Sequence, residues 1–158
     1  MAEVVRPLAA GEPVFGLRAA VRLLNEVTAP WVQDLGLLID SIDAGRPAGM
    51  AADWHPTVVL RLPFSERIRR EGGVVCPQAL LALADTAMML ACAAAWNGYR
   101  PMTAMDQTMH FLRPVQFDVV AEARMVRIGR NTSFGHATLT CASDQRPVGM
   151  CSSAYAML

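Results

Sequence analysis

Between Ala79 and Trp96 the chain runs ALLALADTAMMLACAAAW, and Asp85 and Thr86 are its only polar residues. A carboxylate in such a stretch is neutralised, hydrogen-bonded or put to chemical use, because burying an unpaired charge is heavily penalised. Acids of this kind are enriched at active sites, and structural ion pairs produce them too. Gln78 lies seven residues earlier, so two helical turns bring it to the face of Asp85, with Ala82, Met89 and Cys92. Cys76, two residues before Gln78, is either a reactive thiol at a helix start or a small buried hydrophobe. On a later stretch Asp106 and His110 share one face by the two-residue period of a strand, as a half-buried structural acid and a polar pair or base.

These residues need elements to hold them. Ala79–Trp96 is apolar all round, which predicts a core helix from about Pro77, a favourable first-turn residue, to Ala95, ended by Asn97-Gly98. Before it, Leu17 to Val27 has the spacing of an amphipathic helix stopped near Pro30; Leu35–Ile42 and Thr57–Phe64 read as strands. Ala44–Pro56 is a loop and Ser65–Val75 a charged connection closing in Gly72-Gly73. After Gly98 the period changes to two. Met102–Leu112, Val119–Ile128, Ser133–Ala142 and Val148–Met157 read as strands with short links, which favours antiparallel pairing. The chain is therefore expected to be α+β: residues 1–15 an irregular arm, and 16–158 one domain with a long helix buried against a curved sheet.

Composition narrows the function classes. A chain of 158 residues fits one domain with a real core. Its formal net charge of zero gives no electrostatic reason to expect nucleic acid as a partner. All 14 basic residues are arginines; a coding bias is the plainest account, and guanidinium forks also suit the phosphates of an anionic ligand. Cys76, Cys92, Cys141 and Cys151 show no Cys-x-x-Cys spacing and no ligand cluster with His55, His110 or His136. This reads as reduced thiols in a cytoplasmic protein without a metal site. No signal peptide is expected from the first residues. The Ala79–Trp96 run is long enough to consider a membrane span, but Asp85 near its middle would cost about 2.5–3.5 kcal/mol. No membrane association is expected.

The segments TVVLRLPFSERIRREGGVV, ALLALADTAMMLA, MDQTMHFLRPV and AEARMVRIGRNTSFGHATLT, in that order, resemble the hotdog acyl-CoA thioesterases of the phenylacetate-degradation and 4-hydroxybenzoyl-CoA type. The resemblance covers roughly residues 32–158. It implies a hotdog fold, with an antiparallel sheet of five to six strands wrapped around the long helix and the N-terminal helix as an addition. It implies hydrolysis of an acyl-CoA thioester with Asp85 as nucleophile or general base, no cofactor beyond the coenzyme A moiety of the substrate, and a homodimer or dimer of dimers. Arg113 and the turn Gly129-Arg130-Asn131 match positions that approach the coenzyme A phosphates. Cys76-Pro77-Gln78 stands where the family usually has His-Gly-Gly, Arg70 where an asparagine is common, and Ala104 where a serine or threonine is common. Pro77 has no N–H to offer an oxyanion, so Gln78 becomes the candidate for polarising the carbonyl. These replacements motivate an alternative, a non-catalytic acyl or CoA binder on the same scaffold. A hotdog dehydratase or hydratase would instead want a histidine beside Asp85.

Overall fold

Pro77 and Asn97 bracket the central element of the fold. The computed structural model describes residues 14–43, 49–51 and 53–158. Almost all of the expected N-terminal arm and much of the Ala44–Pro56 loop therefore lie outside the described residues. Helix α1 spans Leu17–Val27, a short helical turn α2 spans Pro30–Gln33, and the long helix α3 spans Pro77–Trp96. Strands are β1 Leu38–Ile42, β2 Thr57–Leu62, β3 Met102–Phe111, β4 Val119–Ile128, β5 Thr132–Cys141 and β6 Pro147–Met157. Strand β1 begins later than the sequence suggests, because Pro30 stops α1 and then starts α2 at its own first turn.

In α3 Pro77 occupies the first turn, where its missing N–H costs nothing. At the far end Asn97 adopts the left-handed conformation (φ 54°), and Gly98 N–H closes back on Ala93 O at 2.8 Å. The helix is long and apolar enough to cross a membrane by composition alone, yet it is mostly buried inside the fold. Leu83, Met88 and Leu90 are fully covered; each such side chain contributes about 1.5–3 kcal/mol on leaving water. The alanines between them let the sheet approach closely.

The sheet is antiparallel throughout, in the order β1-β2-β4-β5-β6-β3. This is the hotdog architecture. Helix α3 packs chiefly on β4, then β2 and β5, and only lightly on β6. Its margin towards the edge strand β3 is therefore left partly open. In β4 the residues Val119, Ala121, Ala123 and Met125 face the helix while Glu122 and Arg124 face out, as their alternation requires. A bulge between Met125 and Arg127 then reverses the alternation and turns Ile128 inward.

Strand β3 carries the bulge that matters most for the site. Met102 and Ala104 pair with Met157 and Tyr155; after the shift between Ala104 and Asp106, Gln107 and Met109 pair with Ser153 and Cys151. Ser153, Tyr155 and Cys151 are buried against the helix side. The extra residue thus turns Gln107 towards α3 and Asp106 away from it. Asp106 is exposed, not half-buried as its sequence position suggested.

Candidate active site

Asp85 projects from the least covered stripe of α3, which runs through Gln78, Leu81, Asp85, Met89 and Trp96. The spacing argument for Gln78, Asp85 and Met89 holds; Ala82 and Cys92, on the same side by sequence, are covered. The Asp85 carboxylate is half-buried and accepts two hydrogen bonds, both on Oδ1. Tyr155 Oη donates at 2.8 Å from β6, and Gln107 Nε2 donates at 3.1 Å from β3. Among the described residues no arginine pairs with Asp85, and its Oδ2 has no protein partner. A hydrogen bond to a charged group is worth about 1.5–3 kcal/mol, so two of them offset much of the cost of partial burial.

Tyr155 is itself 3% exposed. Burial, and then the neighbouring Asp85 charge, push its hydroxyl far above its ordinary range, so it remains a protonated donor. Burial likewise raises the thiol of Cys151 on the same strand face, with the Asp85 charge a smaller contribution. Neither Tyr155 nor Gln107 stood out as a functional candidate in the sequence. For Tyr155 the available signal was the alternation Cys151, Ser153, Tyr155, which places a phenol on a buried stripe where its hydroxyl needs a partner. Gln107 carried no such signal, because the bulge reverses the face it would otherwise occupy.

The other candidates fall into separate groups. Cys76 is partly buried and precedes the first turn of α3 without a side-chain cap; its carbonyl accepts from Ala79 N–H at 3.2 Å and Leu80 N–H at 3.4 Å. Gln78 N–H has no acceptor among the described residues, and the side chain is exposed. It is thus the first free donor at the positive end of the helix, since Pro77 supplies none. Ala104 lies across the strand pair from Tyr155. Arg70 is exposed.

Arg113 is engaged within the fold. Its Nε donates to Pro147 O at 3.1 Å, and its Nη2 to Asp144 Oδ1 at 2.9 Å and Arg146 O at 3.1 Å, closing the β5–β6 turn. The Arg113 hydrogen bond holds the Asp144 carboxyl below its usual range. A cavity of about 310 Å³ opens there, beside Val74, Phe117 and Cys141, and no member of the Asp85 network lines it. Gly129-Arg130-Asn131 forms the β4–β5 turn at the opposite end of the sheet, with Arg130 and Asn131 exposed. A Cβ on Gly129 would meet Thr132 O at 2.5 Å, so only glycine fits there. Within one chain Arg113 and this turn do not converge. His110 pairs with Met150 and His136 with Ser152, on the outer face of the sheet, away from Asp85. Neither of these two histidines is placed to pair with Asp85 as a dehydratase-type arrangement would want. Among the described residues no cluster of His, Cys, Asp and Glu has metal-binding geometry.

A long central helix in a six-stranded antiparallel wrap is the hotdog fold, and here it carries an acid at its least covered margin. Residues 72–148 match the family model described as the thioesterase superfamily. Solved structures share the fold: a putative thioesterase from Silicibacter sp. is 24% identical, covers 93% of this chain and 94% of its own, and has a TM-score of 0.74. The PaaI protein from the phenylacetic acid degradation operon of E. coli is 19% identical over 88% of this chain and 91% of its own, with a TM-score of 0.70. Zebrafish thioesterase superfamily member 2 is 14% identical over 90% of this chain and 99% of its own, with a TM-score of 0.71. No curated protein matches this chain in sequence.

Proposed function

We propose that this protein hydrolyses an acyl-CoA thioester, with Asp85 as nucleophile or as general base for water. The observation that carries this reading is the half-buried Asp85 carboxylate, held through Oδ1 and with neither a partner on Oδ2 nor a paired cation among the described residues. The thioesterase-superfamily match of residues 72–148 and the thioesterase names of the structural relatives support it. The chemistry needs an activated oxygen and a donor aimed at the developing oxyanion. Asp85 supplies the first and Gln78 N–H is the candidate for the second, with Cys76 beside it at the helix start.

Seven residues of helix separate Gln78 from Asp85, about 10 Å along the axis. One thioester carbonyl is too small to meet both groups in one chain. We therefore take the site to be completed by a second copy across the β3 edge, where Met105, Phe111 and Leu112 are about half exposed. Of the phosphate candidates, the Gly129-Arg130-Asn131 turn offers an exposed guanidinium with no partner among the described residues, whereas the Arg113 fork is already occupied. A cytoplasmic location fits the four free cysteines.

The test is release of free thiol from hexanoyl-CoA, phenylacetyl-CoA and palmitoyl-CoA. Turnover of at least one, well above the buffer rate, is the expected result. Binding of these compounds with no turnover of any would favour the second reading, a non-catalytic CoA or acyl binder. Pro77 motivates that reading, since an oxyanion donor removed without replacement costs about 2.7–4 kcal/mol of transition-state stabilisation.

A further inference from the structure

We propose that Tyr155 and Gln107 are positioning residues that hold Asp85 by Oδ1 and so present Oδ2 as its reacting oxygen. This rests on the thioesterase reading of Asp85 and assigns two residues to it that the sequence did not single out. The two donors come from different strands, β6 and β3, and converge on the same carboxylate oxygen at 2.8 and 3.1 Å. Two fixed donors on one oxygen remove the freedom of the carboxylate to rotate about its Cβ–Cγ bond, leaving Oδ2 in one direction. A carboxylate held for structural reasons alone would gain by having both oxygens satisfied, yet Oδ2 has no partner among the described residues.

The surrounding architecture is arranged for this contact. The bulge between Ala104 and Asp106 turns Gln107, in place of Asp106, towards the helix. Tyr155 lies opposite Ala104 on β3, and its hydroxyl reaches Asp85 Oδ1 on α3. Burial of the phenol keeps it a donor and not a competing base.

The consequence for the reaction is specific. With Asp85 as base, Oδ2 takes a proton from water as the water oxygen bonds to the thioester carbon; the C–S bond then breaks and the thiolate leaves with that proton. With Asp85 as nucleophile, Oδ2 bonds to the acyl carbon, the thiolate leaves and is protonated by solvent, and water cleaves the resulting anhydride. Oδ1 keeps its two donors in both routes.

The experiment measures thiol release by the full chain as wild type, Tyr155→Phe, Gln107→Met, the double variant and Asp85→Asn, on whichever of the three acyl-CoAs turns over fastest. Phenylalanine preserves the ring packing and methionine the length, and each removes only the donor. Each single variant is expected to lower kcat by about 10-fold or more, because a displaced reacting group is that costly. KM should stay within about two-fold, since substrate binding is not touched. The double variant should fall less than the product of the singles, because both act through one oxygen. If the single variants keep wild-type kcat while Asp85→Asn is inactive, the positioning role is wrong and the thioesterase reading stands. If Asp85→Asn turns over like wild type, the thioesterase reading of Asp85 fails, and the positioning role with it. Should Tyr155→Phe not fold, Gln107→Met on the edge strand decides the matter alone.

Discussion

Asp85 takes both of its hydrogen bonds on Oδ1 and none on Oδ2 among the described residues, and that asymmetry is the residue-scale basis of the proposed chemistry. Tyr155 and Gln107 satisfy Oδ1 without neutralising the charge, as an arginine would. Cys92, two helical turns further along α3, shows how strongly the same interior acts on an ionisable group, where burial outweighs the opposing Ser133 hydrogen bond and Arg100 charge. It is fully covered, and burial raises its thiol from 9.0 to about 11. A raised thiol pKa means that the folded state binds the proton more tightly than the unfolded chain. The associated stability is complete below the unfolded value near pH 9 and is lost as pH rises towards 11. The loss amounts to at most about 2–3 kcal/mol from this residue. Urea midpoints taken from pH 7.5 to 10.5 should fall for wild type and fall less steeply for Cys92→Ala. An equal slope in both would remove Cys92 as the source; the buried Cys151 thiol, shifted the same way, would be examined next.

At the scale of elements, β3 decides which residues meet the acid. Four long strands and the core helix were legible because their hydrophobic signals are strong: β4 alternates as far as Met125, and α3 is apolar almost throughout. Asn97-Gly98 marked the helix end because a left-handed residue there favours asparagine or glycine. Asp85 was legible for the same reason, as a charge that breaks an otherwise apolar pattern. The bulges were not, since one extra residue in a strand leaves no mark in composition. Without that shift, strict alternation from Met102 would carry Asp106 and His110 to the helix side; with it, Gln107 and Met109 go there. The start of β1 was misplaced because Pro30 reads equally well as the end of one helix and the beginning of another. Tyr155 escaped notice because contact across seventy residues depends on sheet order, which places the last strand between β5 and β3.

For the whole molecule, the partly open flank of α3 and the β3 edge are the surfaces that the proposed second copy would cover. An exposed ten-residue edge strand bearing Met105 and Phe111 is a surface that proteins usually cover. Sedimentation equilibrium should give a mass of twice the 17.1 kDa chain, or four times it if dimers pair again. A monomer that hydrolyses acyl-CoA at full rate would show that Gln78 and Asp85 need no partner. The central claim is that Asp85 does chemistry through Oδ2. Asp85→Asn tests it most directly, because the amide oxygen still accepts from Tyr155 and Gln107 while an NH2 group takes the place of Oδ2. Thiol release by that variant is expected to drop to the buffer rate, with the thermal midpoint moving by no more than about 4 °C, the size of roughly 1 kcal/mol in a chain of this length. Hydrolysis by Asp85→Asn at the wild-type rate would contradict the account.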